Sequence, residues 1–311
     1  MSSIVATTDL GHAYGDIVAL HHVDLDIPPG RIGLVGANGA GKTTLVKILL
    51  GILRPTAGTA VVLGADATRN PIEVRARVGY MPEGDCLPVA QTAADFMVYA
   101  AELAGIPRQA ARQRASDVLT LVGLHEERFR QLGDFSTGMK QRAKLAQAIV
   151  HDPDLVLLDE PTAGLDPEGR DEMLDLVSRL GGFGINVITS SHVLSDIEKT
   201  CDWVVMLDGG RVLRQGPLSA LTDIGTVELE VFDDPEPAVA ALRAAGIEVD
   251  RNEQVLALSI DDATGYDLIR DVLAGNGLGV RRMGTRSNTL EDVFLHTGDA
   301  PAASDRDGDT P

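Results

Sequence analysis

The sequence predicts an α/β protein with a parallel sheet at its centre. Apolar runs typical of buried parallel strands occur at RIGLVG (31–36), LVLLDE (155–160) and INVITSSH (185–192), with helical segments between the last two. From about 88 to 150 the pattern is mainly helical and rich in alanine, glutamine and arginine. We therefore expect a helical insertion between strands of the sheet.

Shorter elements are predicted in the amino-terminal part of the chain. Residues 1–35 and 56–82 have the alternating pattern of short strands, and a helix is expected from Lys42 to about Leu50. The central parallel sheet is therefore expected to have additional strands beside it.

A second, smaller domain is predicted after a change in composition near Ile224. Strand-like TVELEVF is followed by helical PAVAALRAAG, strand-like IEVD and VLALSI, helical GYDLIRDVLAG and strand-like LGVRRM. This β-α-β-β-α-β order is typical of a ferredoxin-like α+β domain. We predict domains at 1–224 and 225–296, with a disordered acidic tail at 297–311.

The charge and the cysteines restrict the possible partners and the compartment. A formal net charge of −19 disfavours nucleic acid as a partner, because phosphate backbones attract basic surfaces. No secretory signal is recognisable, and no run reaches the roughly 18 to 20 apolar residues of a membrane span. Cys86 and Cys201 lack metal-ligand spacing, and buried free thiols in a reducing compartment are expected.

A phosphate-binding loop is predicted at 36–43, where GANGAGKT matches G-x-x-x-x-G-K-[ST] between a strand and a helix. Its glycines let backbone N–H groups turn towards phosphate, Lys42 adds a positive charge, and the Thr43 hydroxyl is suited to Mg²⁺. The residues expected to bind ATP here are Gly36, Ala37, Asn38, Gly39, Ala40, Gly41, Lys42, Thr43 and Thr44.

Two acidic residues, Asp159 and Glu160, follow the apolar run LVLL. Ligands of parallel sheets bind at the carboxyl ends of the strands, so these carboxylates are expected near the phosphate loop. Asp159 is predicted to hold Mg²⁺, and Glu160 to polarise the water that attacks the γ-phosphate.

Further segments resemble one family, the ABC ATPases, in motif order and spacing from about residue 4 to 218. VGYMPE (78–83) resembles the Q-loop, FSTGMKQR (135–142) the signature, PTAGLDP (161–167) the D-loop, and His192 in ITSSHVL the switch histidine. The resemblance implies a P-loop NTPase cassette with a RecA-like parallel core, an antiparallel β subdomain and a helical insertion.

The resemblance also implies a dimer that holds two ATP molecules between its subunits. Ser136 and Gly138 begin a helix whose amides would bind the γ-phosphate of ATP held by the opposite subunit. Asp166 is expected to help communication between the two sites. His192 would contact the γ-phosphate and keep the attacking water aligned with Glu160.

Tyr14 lies where an aromatic residue stacks on adenine in this family, although a packed core tyrosine is an equal alternative. Thr137 and Met139 depart from the usual glycine and glutamine of the signature, and Glu83 replaces the Q-loop glutamine. Glu83 is expected to reach the magnesium shell in the closed site. Alternatively, it faces a permease and acts through coupling.

A glutamate like Glu83 occurs in the branch that pairs with ABC-2-type permeases, and SNTLEDVFL (287–295) resembles the end of that branch. Alternatively, that segment is an amphipathic helix packed on its own domain. The main hypothesis is an ATPase subunit that drives a separate membrane permease for export, as a homodimer or paired with another ATPase subunit, on the cytoplasmic face of the membrane. A soluble ABC ATPase acting on ribosomes or DNA, and an importer ATPase, are the alternatives.

Overall fold

The computed structural model divides into two compact units, Met1–Pro217 and Leu218–Pro311. The residues that it describes are 3–222, 226–232, 234–252, 255–259, 263–286, 289–291 and 293. The predicted tail at 297–311 lies outside the described residues, as does most of the segment 287–295. The predicted domain limits remain predictions.

The first unit alternates strands and helices along the chain. Its elements are β1 (Val5–Tyr14), β2 (Ile17–Ile27), β3 (Arg31–Val35), α1 (Lys42–Leu49), β4 (Ala57–Val62), β5 (Ala65–Asp66), α2 (Pro71–Arg77), β6 (Val78–Met81), α3 (Ala93–Leu103), α4 (Arg108–Leu121), a 3-10 turn (Leu132–Asp134), α5 (Thr137–Ile149), β7 (Leu155–Asp159), α6 (Pro167–Gly182), β8 (Asn186–Ser191), α7 (Leu194–Thr200), β9 (Trp203–Asp208) and β10 (Arg211–Pro217).

Two sheets form this unit. The larger has the order β10-β9-β3-β8-β7-β6, and its strands are parallel except for the edge pair β9–β10. The smaller is an antiparallel sheet of order β2-β1-β4-β5. A parallel core with an antiparallel β subdomain confirms the predicted fold class.

Strand β7 shows why the central strands are almost wholly apolar. Leu155 and Leu157 belong to a core cluster that includes residues of α1, while Val156 and Leu158 belong to another that includes residues of α3, α4 and α5. Because both faces of the strand are covered, alternation of polar and apolar residues is lost. Strand β7 is therefore held rigidly by packing on both faces, and its last residue, Asp159, lies at the carboxyl end of the parallel sheet.

The prediction of strands throughout 56–82 is wrong for α2. This helix has only seven residues, and Val74 is its one buried residue, so no helical periodicity is visible in the sequence. Pro71 lies at the start of the helix, where its missing N–H costs no hydrogen bond.

The second unit contains α8 (Leu218–Thr222), β11 (Thr226–Val231), α9 (Glu236–Ala244), β12 (Val249–Asn252), β13 (Val255–Ser259), α10 (Ala263–Gly275) and β14 (Val280–Arg286). Its sheet is antiparallel with the order β12-β13-β11-β14. Val227 and Leu229 on β11 pack with Leu242 of α9 and Ile269 of α10. From β11 to β14 the elements follow the predicted ferredoxin-like β-α-β-β-α-β order.

Candidate functional site

The loop from Gly36 to Gly41 connects β3 to α1 and requires glycine at several positions. Gly39 and Gly41 have φ values of 87° and 100°, in the region that favours glycine. A Cβ atom at Gly36 would lie 2.3 Å from the backbone oxygen of Leu207, and one at Gly41 would lie 2.7 Å from that of Ala19. The loop therefore turns with its backbone close to neighbouring strands.

Helix α1 begins directly after this loop with Lys42. The Nζ of Lys42 donates to the backbone oxygens of Gly36 at 2.6 Å and Ala37 at 3.2 Å. No side chain caps the start of α1, and its first turn has no acidic residue. The N–H groups at the helix start and the lysine ammonium thus form a positive environment suited to phosphate.

Asp159 ends β7 next to the start of α1. Its Oδ2 lies 3.4 Å from the Thr43 hydroxyl, and its Oδ1 accepts a hydrogen bond from the Ser190 hydroxyl at the end of β8. The Asp159 side chain is buried, which holds the carboxylate in one orientation. Thr43 and Asp159 together present oxygen atoms of the kind that Mg²⁺ prefers.

Glu160 and His192 directly follow β7 and β8, and their side chains form a close pair at the carboxyl ends of these strands. The Nδ1 atom of His192 lies 3.0 Å from both carboxylate oxygens of Glu160. The backbone N–H of Glu160 donates to the backbone oxygen of Ser190 at 3.0 Å, and Glu160 has a φ of 50°. The Glu160 side chain is only 9% exposed, whereas that of His192 is 54% exposed.

These elements surround a cavity of about 400 Å³. It is lined by Ala19, Asn38, Gly39, Ala40, Gly41, Lys42, Thr43, Thr44, Glu83, Asp159, Glu160 and His192. The structure thus brings together most of the residues predicted for one ATP site, including both predicted catalytic residues. Ala19 is an addition, because an alanine in a strand carries no chemical signal in the sequence.

Tyr14 does not line this cavity but is accessible at the end of β1. Its side chain is 47% exposed, so the alternative of a packed core tyrosine is wrong. The ring of His12 contacts Tyr14 edge-on, with 4.6 Å between ring centroids. Tyr14 is therefore free on one side to stack on a planar group, and its adenine contact remains a proposal.

A separate cavity of about 430 Å³ contains the signature and D-loop residues. It is lined by Ser136, Thr137, Gly138, Arg142, Gly164, Leu165, Asp166, Glu168, Gly169 and Glu172. Ser136 caps α5 by accepting from the Met139 N–H at 3.3 Å, and Asp166 caps α6 by accepting from the Gly169 N–H at 3.0 Å. Ser136, Gly138 and Asp166 are thus held outside the phosphate-loop cavity of their own chain.

Lys144 on α5, which none of the sequence motifs singles out, contacts the backbone of the cavity residue Glu83. It is 4% exposed, and its Nζ donates to the backbone oxygen of Glu83 at 2.9 Å. Burial lowers the pKa of Lys144, whereas Cys86, Asp85, Glu83 and Asp159 oppose that shift. A lysine at an otherwise apolar position of the α5 pattern is the signal that could have revealed it.

Tyr80 near the end of β6 interacts electrostatically with the Asp159 carboxylate. Burial raises the pKa of the Tyr80 hydroxyl to about 12, and the neighbouring Asp159 carboxylate adds to the shift. The hydroxyl therefore remains protonated at neutral pH.

A groove of about 440 Å³ includes Pro82 and Cys86, which lie close to Glu83 in the chain. We call it the insertion groove; it is lined by Leu50, Ile52, Arg75, Val78, Tyr80, Pro82, Cys86, Phe96, Ala100, Gln147, Val150 and His151. The expectation of two buried thiols is wrong for Cys86, which is exposed on this segment, and right for Cys201. Cys86 is exposed because the segment between β6 and α3 runs over the surface.

The phosphate-loop cavity fits ATP with Mg²⁺. Among the described residues, no group of three or more His, Cys, Asp or Glu side chains is placed to hold a metal by itself. Mg²⁺ takes few protein ligands and completes its shell with phosphate oxygens and water. Thr43 and Asp159 supply such a partial set of ligands beside a phosphate-binding loop.

Comparison with known proteins places the chain in a family. The sequence profile of the ABC transporter family matches residues 20–163. The bacitracin transport ATP-binding protein BcrA of Bacillus licheniformis is 34% identical, over 95% of this chain and 97% of that protein. The daunorubicin/doxorubicin resistance ATP-binding protein DrrA of Streptomyces peucetius is 33% identical, over 96% of this chain and 93% of that protein.

A solved structure agrees with the sequence relatives. That of cbiO1 from Clostridium perfringens, part of the ABC transporter complex cbiONQ, has a TM-score of 0.65 at 27% identity, covering 71% of this chain and 91% of that chain. The chain therefore belongs to the ATP-binding subunits of the ABC transporter family. It binds and hydrolyses ATP as the energy-coupling subunit of a transporter, which confirms the predicted function.

No helix in the described part of the chain combines the length and apolar character needed to cross a membrane.

Replacing Lys42 with Ala is expected to lower ATP affinity by about a hundredfold, because the triphosphate loses a charge-assisted contact from the loop. Isothermal titration calorimetry measures the change. Lys47→Ala is the matched control, since Lys47 lies in the last turn of the same helix and is exposed. If Lys42→Ala binds ATP as tightly as the unchanged protein, residues 36–43 are not the phosphate-binding loop.

Proposed function

We propose that two copies of this chain, or this chain and a paired ATPase subunit, bind two ATP molecules between them in a head-to-tail arrangement. The observation that carries this proposal is the separation of two half-sites within one chain. The phosphate-loop cavity contains Lys42 and Glu160, while Ser136 and Gly138 line another cavity. The N–H groups in the first turn of α5, at its positive dipole end, suit a phosphate supplied from outside the chain.

Within each composite site, the residues of the phosphate loop orient the triphosphate, and Tyr14 stacks on the adenine. Thr43 and Asp159 hold Mg²⁺, which would neutralise phosphate charge, and Glu83 lies within reach of the metal shell. Asp166 acts at the subunit interface, where its α6 cap keeps the D-loop ordered. This assignment combines the lining of the two cavities with the motif roles of the family.

Glu160 and His192 perform the chemistry at the γ-phosphate. The Glu160 carboxylate accepts a hydrogen bond from the attacking water and takes up its proton. His192 fixes the orientation of that carboxylate through the 3.0 Å contacts at its Nδ1, and its exposed ring edge is available to the γ-phosphate. The partly buried pair is thus oriented before nucleotide binds, which reduces the reorganisation needed for reaction.

Replacing Glu160 with Gln should leave ATP binding intact and slow hydrolysis by about a hundredfold or more, because the amide cannot take the proton from water. The Gln side chain is nearly isosteric, so the ATP-bound dimer should accumulate. Phosphate release and size-exclusion chromatography with ATP and Mg²⁺ measure the two effects. A monomeric variant with normal turnover would contradict both the catalytic role and the composite site.

Mixed defective subunits test the composite site directly. Ser136→Arg blocks the half-site that a chain offers to its partner, whereas Lys42→Ala damages the chain's own phosphate loop. A heterodimer of the two retains one site with both halves intact. The mixture should therefore hydrolyse ATP faster than either variant alone, and a mixture no faster than its components would argue against the arrangement.

We further propose that the chain drives a separate integral membrane permease of the ABC-2 type in export, from the cytoplasmic face of the membrane. BcrA and DrrA are named for bacitracin transport and for daunorubicin/doxorubicin resistance, which supports export. The insertion groove is a suitable docking position, because it exposes apolar surface beside the Glu83 segment. Ile52 in this groove is 59% exposed.

The docking position is tested with two exposed isoleucines. Ile52→Glu places a charge in the insertion groove, whereas the control Ile72→Glu alters α2, where Ile72 is 78% exposed and does not line the groove. Co-purification from detergent-solubilised membranes should recover a protein with about six apolar spans. Ile52→Glu should lose this partner while Ile72→Glu keeps it. Equal recovery with both variants would place the permease elsewhere.

A further inference from the structure

Lys144 connects the helix that starts at the signature to the segment that contains Glu83. It lies in the interior of α5, two turns after Ser136, and its side chain is buried. The ammonium donates to the backbone oxygen of Glu83 at 2.9 Å, across 61 positions of sequence. Burying an ammonium is costly unless its N–H donors are satisfied. Loss of this hydrogen bond would therefore destabilise the local structure.

The surroundings of the Lys144 ammonium are predominantly acidic. The carboxylates of Glu83, Asp85 and Asp159 and the thiol of Cys86 interact with it electrostatically. Glu83 and Asp159 also line the phosphate-loop cavity, together with Glu160. This group of carboxylates repels a triphosphate, and a nearby cation reduces that repulsion.

The segment that Lys144 holds lies between two cavities. Glu83 lines the phosphate-loop cavity, whereas Pro82 and Cys86 line the insertion groove. The residues from Glu83 to Cys86 are exposed, so few packing contacts fix their conformation. The hydrogen bond from Lys144 thus restrains an otherwise accessible segment at the residue that faces the nucleotide.

We propose that Lys144 is a positioning residue of the nucleotide site: it holds the Glu83 segment in place, and its charge offsets the carboxylates so that ATP binds with less dependence on Mg²⁺. This inference rests on the proposed Mg²⁺–ATP site. The expected change in the Mg²⁺ dependence of ATP affinity depends on the charge of Lys144. A side chain with a purely structural role would affect ATP affinity equally with and without the metal.

The test is the ATP affinity of Lys144→Met and Lys144→Arg, measured by calorimetry in EDTA and in excess Mg²⁺. Lys144→Met should weaken binding by about tenfold in EDTA, because repulsion by the carboxylates is no longer offset. In excess Mg²⁺ the loss should be less than about threefold, since the metal dominates the local charge. Lys144→Arg keeps the charge and should retain the ratio of the two affinities of the unchanged protein.

A double variant connects the effect to Glu83. Glu83→Gln removes one negative charge and should raise ATP affinity in EDTA more than in excess Mg²⁺. Combined with Lys144→Met, it should restore the affinity in EDTA towards that of the unchanged protein. Failure of the double variant to recover affinity would overturn the connection between Lys144 and Glu83.

Control variants distinguish an effect of the Lys144 charge from misfolding and from a wrong assignment of the nucleotide site. Lys199→Met removes an exposed lysine paired with Asp171 and should alter neither affinity. If Lys144→Met does not fold, Lys144→Gln supplies a neutral side chain that still donates a hydrogen bond, with the same expected loss in EDTA. Equal losses with and without Mg²⁺, or no loss, would overturn the role of Lys144. Failure of the nucleotide site itself would instead appear as full ATP affinity in Lys42→Ala.

Discussion

Strand β8 lies between β3 and β7 in the parallel sheet, and the end of β8 organises the nucleotide site. Ser190 donates through its hydroxyl to Asp159 and accepts through its backbone oxygen from Glu160. Two residues later, His192 meets the Glu160 carboxylate. The register of three neighbouring strands therefore sets the positions of Asp159, Glu160 and His192 together, and a shift of β8 would displace all of them.

The site also combines charges of opposite sign within a strongly acidic chain. Lys42 and Lys144 are both buried, and each donates to backbone oxygens of a loop that lines the same cavity. Backbone carbonyls satisfy part of the hydrogen-bonding capacity of an ammonium without neutralising its charge. The two lysines thus remain electrostatically available in a region where Asp159 and Glu160 would otherwise dominate.

The sequence motifs predicted most of the fold and the residues of the phosphate-loop cavity, because each motif combines chemistry with a fixed place in a strand, loop or helix. The missed features have physical reasons. Helix α2 is too short to show periodicity, and Ala19 has no functional group. The contact between Lys144 and Glu83 joins distant positions, and a single sequence contains no measure of distance between them.

The backbone of Glu160 has a further consequence for the evolution of this protein. A φ of 50° is unfavourable for a residue with a side chain and costs of order 1 kcal/mol or more. Glycine or asparagine would occupy this conformation with less strain. A sequence chosen for thermal stability alone would therefore replace this glutamate, and the resulting protein would be more stable while lacking the Glu160–His192 pair beside the phosphate loop.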